Sequence, residues 1–139
     1  VGDRLLNLNK AIEILSDNIE ILKTSKIYET KPVGVENQPD FLNMAVMGQT
    51  VLDYLSLFEF IKDVEKQVGR VYRYRWGPRE IDIDILFFND LIYKSQDLEI
   101  PHPRLHEREF VLKPLMDLQP DFIHPVFKKS VKELYEDLK

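Results

Sequence analysis

Cysteine is absent from all 139 residues, which excludes disulfides and thiolate-held metals and fits a reducing, cytoplasmic setting. No apolar run approaches the roughly 20 residues that a membrane helix requires, and the opening residues lack the pattern of a secretory signal peptide. A membrane partner is therefore not expected. Positive charge is not in excess either: the net charge is −5, which argues against a general nucleic-acid coat. Repeats, low-complexity tracts and linkers are lacking, so 1–139 reads as a single domain. Its 44% hydrophobic residues suffice for a core.

One local shortage is more telling. Between residues 66 and 79 there is no acid, while Lys66, Arg70, Arg73, Arg75 and Arg79 all fall there. This basic, Gly- and Pro-containing loop runs into Glu80-Ile81-Asp82-Ile83-Asp84-Ile85-Leu86. A β-strand sends alternate side chains to opposite faces, so the pattern predicts a strand with Asp82 and Asp84 on one face and Ile81, Ile83 and Ile85 on the other. Two carboxylates side by side repel each other unless a cation lies between them. Hard oxygen ligands suit Mg²⁺ and arginine forks suit phosphate oxygens, so the stretch points to a metal-bound polyphosphate. Structural ion pairing of the same charges is the plainer reading.

Around this stretch the pattern predicts four helices. Leu5, Leu8, Ile12 and Leu15 recur at 3-4-3 spacing behind Asp3, a candidate N-cap. Leu57, Ile61, Val64 and Val68 mark a helix over 53–68 that Gly69 closes. A helix over 104–116 is interrupted by Pro114, and a short one spans 130–138. Strands are expected over 19–29 and 41–51, joined by a polar loop with two prolines at 30–40, with shorter ones near 91–93 and 98–100. The order helix, strand, strand, helix, strand is most of a βαββαβ ferredoxin-like sandwich, an α+β fold, with its first strand missing from this chain.

Arg75-Trp76-Gly77-Pro78-Arg79-Glu80-Ile81-Asp82-Ile83-Asp84-Ile85-Leu86 closely resembles the signature of the 6-hydroxymethyl-7,8-dihydropterin pyrophosphokinases of folate biosynthesis. The likeness extends over nearly the whole chain. It takes in residues 28–34, 38–43, 65–70 and 100–108, and then Phe110-Val111-Leu112. It implies transfer of the β,γ-pyrophosphoryl group of ATP to the pterin hydroxymethyl group, leaving AMP. Two Mg²⁺ ions would be held by Asp82 and Asp84. Arg70, Trp76, Arg79, Ile85, His102 and Arg108 match residues that bind ATP, with Arg70 and Arg79, like Asp82 and Asp84, also counted as catalytic. Thr30 and Asn43 match groups at the polar edge of the pterin, and Phe41 and Phe110 match the aromatic pair that sandwiches its ring. No obligate protein partner is implied.

His102 and His106 are four apart, the spacing of half a zinc site, but Pro103 lies between them and no third ligand presents itself. Two other readings stay open: a ferredoxin-like module that binds a nucleotide or RNA without catalysis, and an inactive truncated remnant.

Overall fold

The structure, a computed structural model, describes residues 4–30, 41–71 and 81–139. The fold is α+β, with helices α1 (Arg4–Leu15), α2 (Tyr54–Val71), α3 (Glu109–Leu118) and α4 (Val131–Glu136). The strands are β1 (Glu20–Thr24), β2 (Tyr28–Thr30), β3 (Phe41–Asn43), β4 (Val46–Gln49), β5 (Tyr93–Lys94) and β6 (Glu99–Ile100). They form three two-stranded sheets: β1 with β4, β2 with β3, and β5 with β6. Two compact units result, one of Val1–Ile21 and Gly48–Asp84, the other of Leu22–Met47 and Ile85–Lys139.

In the first unit α1 packs against α2. The buried line of α2 is the expected one, Leu57, Ile61, Val64 and Val68. Its start is capped as acids cap helices: the Ser56 N–H donates to Asp53 Oδ1 at 2.7 Å. That bond holds the Asp53 carboxyl below its ordinary pKa. Its end differs from expectation, because Gly69 lies inside the helix, which runs on to Val71. Glycine permits a C-cap without requiring one.

The face of α1 also differs. Asn7, Ala11 and Leu15 are buried, whereas Leu5 is 48% exposed. Leu5, Leu6, Leu8, Ala11, Ile12, Ile14 and Leu15 surround this helix with apolar residues, so two overlapping stripes were available and spacing alone could not choose. Beside it, Gly48 lies where a Cβ would sit 2.5 Å from Ile19 Cγ2 and 2.7 Å from the Glu20 carbonyl oxygen. Only glycine fits there unless the backbone shifts.

In the second unit the two long strands expected over 19–29 and 41–51 are each broken. The break lies at Ser25, whose Oγ accepts the Ala45 N–H at 2.8 Å and donates to the Lys26 carbonyl at 2.7 Å. A serine hydroxyl competes with ladder partners for backbone groups, so the pairing restarts beyond it. There β2 and β3 are antiparallel, with Tyr28 opposite Asn43, Glu29 opposite Leu42 and Thr30 opposite Phe41. At residue 89 the chain turns, with Asn89 in the left-handed region at φ 52°.

The core of this unit is built on Leu105, Leu112, Val131 and Leu134, with Leu86, Phe87, Val111, Leu115 and Phe122 packed around them. Helix α3 passes through Pro114 rather than stopping there. Proline has no N–H to give the carbonyl four residues back, that of Phe110, and this costs one helical bond. Burial of Leu112, Pro114 and Leu118 on that helix offsets the loss. Ser130 and Glu133 cap α4 reciprocally, through bonds of 3.1 and 2.8 Å.

Ahead of α4, buried His124 organises a turn by accepting the Val126 and Phe127 N–H groups on Nδ1, at 3.1 and 3.2 Å. Burial, with a smaller effect of nearby His106, depresses its pKa from the ordinary value of 6.5. The folded chain therefore favours the neutral ring, and the unfolded chain takes up the proton first as pH falls. This contribution to stability is complete above pH 6.5 and is lost as pH falls below it. Denaturant unfolding followed from pH 8 to 5 should show that loss. In His124→Asn, whose amide oxygen can accept but does not titrate, this component should shrink.

Candidate active site

The acidic segment sits at the end of the first unit. It forms no strand with the described residues, contrary to expectation, yet its faces alternate: Asp82 and Asp84 are exposed, Ile81 and Ile83 are half-buried and Ile85 is buried. A ladder needs free backbone groups, and here the Ile83 N–H is already given to a side chain. It donates to Glu65 Oε2 of α2 at 2.6 Å. The other oxygen of Glu65 pairs with Lys62 Nζ at 3.3 Å. Sequence reading assigned no role to Glu65, although the residue lies in a segment that carried the resemblance. An isolated glutamate on an amphipathic helix gives no signal that it will reach a backbone amide 18 residues on.

Among the described residues no group of three or more His, Asp or Glu gathers as a metal cage. The donor set of Asp82 and Asp84 nonetheless fits Mg²⁺, which is typically held by one or two carboxylates while substrate phosphates and water complete its octahedron.

In the second unit the residues expected at the pterin come from one hairpin and one helix. Asn43 Nδ2 donates to Thr30 Oγ1 at 2.9 Å, joining the two polar groups across the β2–β3 pair. Phe41 is opposite Thr30 in the same ladder, and its side chain lies outside the description. Helix α3, which carries Phe110 near its start, packs against both strands. Phe110 is 41% exposed.

Further along α3, Asp117 ties this hairpin down. Its Oδ2 accepts from the Tyr28 hydroxyl at 2.7 Å and the Lys26 N–H at 3.1 Å. These bonds favour the charged carboxylate and the neutral phenol, so they lower the Asp117 pKa and raise that of Tyr28. Lys113 stands 5.5 Å from the centre of the Tyr28 ring.

The expected phosphate ligands of this unit precede α3 in the chain. Arg108 is the N-cap of α3, and its guanidinium lies 5.6 Å from the centre of the Phe110 ring. His102 is held by its N–H donating to the Leu86 carbonyl at 3.0 Å, and its Nδ1 accepts the Arg104 N–H at 3.3 Å. An accepting Nδ1 leaves Nε2 to carry the proton of the neutral ring. Ile85 is buried. Trp76 and Arg79 lie outside the described residues, as does the side chain of Arg70, whose backbone belongs to α2.

A sequence profile described as 7,8-dihydro-6-hydroxymethylpterin-pyrophosphokinase (HPPK) matches residues 1–120. The chain belongs to this family. It is 47% identical over 133 residues to the 2-amino-4-hydroxy-6-hydroxymethyldihydropteridine pyrophosphokinase of Aquifex aeolicus, covering 96% of this chain and 83% of that one. The identically named Bacillus subtilis protein is 44% identical over 120 residues, or 85% of this chain and 72% of its own. Similarity also reaches the Folic acid synthesis protein FOL1 of Dictyostelium discoideum, 46% over 125 residues, which is 90% of this chain but 19% of that protein. The family resemblance carried by the signature is therefore borne out. No helix among the described residues is long and apolar enough to cross a membrane.

The Thr30–Asn43 contact can be checked by a double-mutant cycle on Thr30→Val and Asn43→Ala, read by urea unfolding. A coupling of about 0.5–1.5 kcal/mol is expected for one such hydrogen bond; additive effects would mean that the two side chains act independently.

Proposed function

We infer that this chain is a single HPPK domain that transfers the β,γ-pyrophosphoryl group of ATP to 6-hydroxymethyl-7,8-dihydropterin for folate synthesis, with Mg²⁺ held by Asp82 and Asp84. Family membership over 1–120 supports the reaction. The observation that carries the assignment of the metal pair is the alternation at 81–85, which exposes both carboxylates while the isoleucines turn inward. We place the elements in a ferredoxin-like βαββαβ arrangement and the protein in the cytoplasm, where its substrates would be made and used.

In this reaction the pterin hydroxyl oxygen bonds to the β-phosphorus, the bond from that phosphorus to the α,β-bridging oxygen breaks, AMP departs and the hydroxyl proton is released. Bound Mg²⁺ would neutralise charge on the phosphate oxygens. The transition state asks mainly for positioning and charge stabilisation. Arg70, Arg79 and Arg108 bring permanent positive charge to the triphosphate, and His102 offers an Nε2 proton. Trp76 and Ile85 complete the nucleotide site. Phe110 and Phe41 hold the ring flat between them. Thr30 and Asn43, already joined in the described hairpin, fix its polar edge. Two ions are expected at the Asp pair, since two-metal sites clamp both sides of an in-line displacement.

The test is product analysis. AMP and the pterin diphosphate should appear together only when ATP, Mg²⁺ and the dihydropterin are all supplied. Asp84→Ala should slow their formation about a hundredfold or more, the scale seen when a charge-stabilising group is removed from an active site. If no AMP forms and the chain instead binds RNA with a steep salt dependence that survives Asp82→Ala, it is a binding module and not an enzyme.

A further inference from the structure

The residue types at 81–85 explain why two aspartates face outward but not what holds their backbone still. Among the described residues this segment has no ladder, so its peptide groups are fixed one bond at a time. Ile83 lies between the two acids, and its N–H donates to Glu65 Oε2 at 2.6 Å, a short bond strengthened by charge. Glu65 is well placed to be rigid. Its side chain is 13% exposed, its second oxygen is held by Lys62, and its neighbour Val64 is fully buried, as is Val68 one turn on.

We propose that Glu65 is a positioning residue for the Asp82–Asp84 pair, fixing the Ile83 peptide so that both carboxylates are presented to the same cation-bound triphosphate. The proposal rests on the Mg²⁺ reading of that pair. The Ile83 N–H belongs to the peptide that joins Asp82 to Ile83, so a plane held there limits the swing of Asp82 directly and that of Asp84 through the single residue between them. The role calls for an acceptor, not for a negative charge. Glu65 already has both oxygens engaged, and it joins no group of three metal-ligating side chains among the described residues. Lys62 offsets the charge of a third carboxylate brought up to a segment that carries two.

Glu65→Gln keeps an acceptor and loses the charge, whereas Glu65→Ala loses both. Two readouts separate the possibilities: exchange of the Ile83 amide in the protein without ligand, followed by NMR, and calorimetric affinity for α,β-methylene-ATP with and without Mg²⁺. In Glu65→Ala the Ile83 amide should exchange faster. The Mg²⁺-dependent gain in nucleotide affinity should fall about ten- to a hundredfold, as when an outer partner of a metal ligand is removed. Affinity without Mg²⁺ should hold, and Glu65→Gln should restore both readouts to near the parent values. Unchanged Ile83 exchange in Glu65→Ala overturns the proposal, and so does a glutamine variant as defective as the alanine one. Asp84→Ala serves as the control for the reading beneath it. If that substitution leaves the Mg²⁺-dependent gain intact, the metal assignment fails and the functional part of the proposal with it, whereas amide exchange still reports whether Glu65 holds the segment.

Discussion

Every half-buried peptide N–H must find an acceptor, and in this chain side chains supply many of those acceptors where regular structure stops. Glu65 takes the amide of Ile83, Asp117 that of Lys26, Ser25 that of Ala45, and His124 those of Val126 and Phe127. The strands are short, between two and five residues, so ladder bonds alone leave many groups over. Each of these contacts joins segments that hydrophobic burial would bring near but would not hold in one register.

The two candidate substrate regions rest on this device in different ways. The hairpin that carries Thr30 and Asn43 is fastened to α3 through Asp117, so the strand edge and the helix bearing Phe110 are parts of one packed unit. The acidic segment is fastened to α2, a helix anchored by four buried apolar residues. In both cases a candidate site residue sits one to four residues from a backbone group that a carboxylate has immobilised. A group poised for phosphoryl transfer has to be held in place before the reactants arrive, and a short charged hydrogen bond to the backbone achieves that without a long sheet.

Much of this was legible in the residues. Alternation at 81–85 foretold which acids would be exposed, and the spacing of Leu57, Ile61, Val64 and Val68 foretold the buried face of α2. What was not legible depended on contacts distant in sequence. The break in the strands at Ser25 depends on Ala45 coming within reach of one hydroxyl. The buried face of α1 depends on which of two apolar stripes its partners select. The role of Glu65 depends on a peptide that lies beyond the basic loop. The resemblance named the chemistry and offered candidate residues for it, whereas the bond from the Ile83 N–H to Glu65 is visible only in the coordinates.

The central inference is that this chain binds a metal-bound nucleotide and a flat pterin together. It is tested most directly by titrating 6-hydroxymethyl-7,8-dihydropterin into the protein loaded with Mg²⁺ and α,β-methylene-ATP, whose α,β link cannot be cleaved, and measuring the heat. The account predicts saturable binding of one pterin per chain, weakened in Phe110→Ala and Asn43→Ala. Absence of pterin binding to the loaded protein, or binding that neither substitution changes, would contradict it.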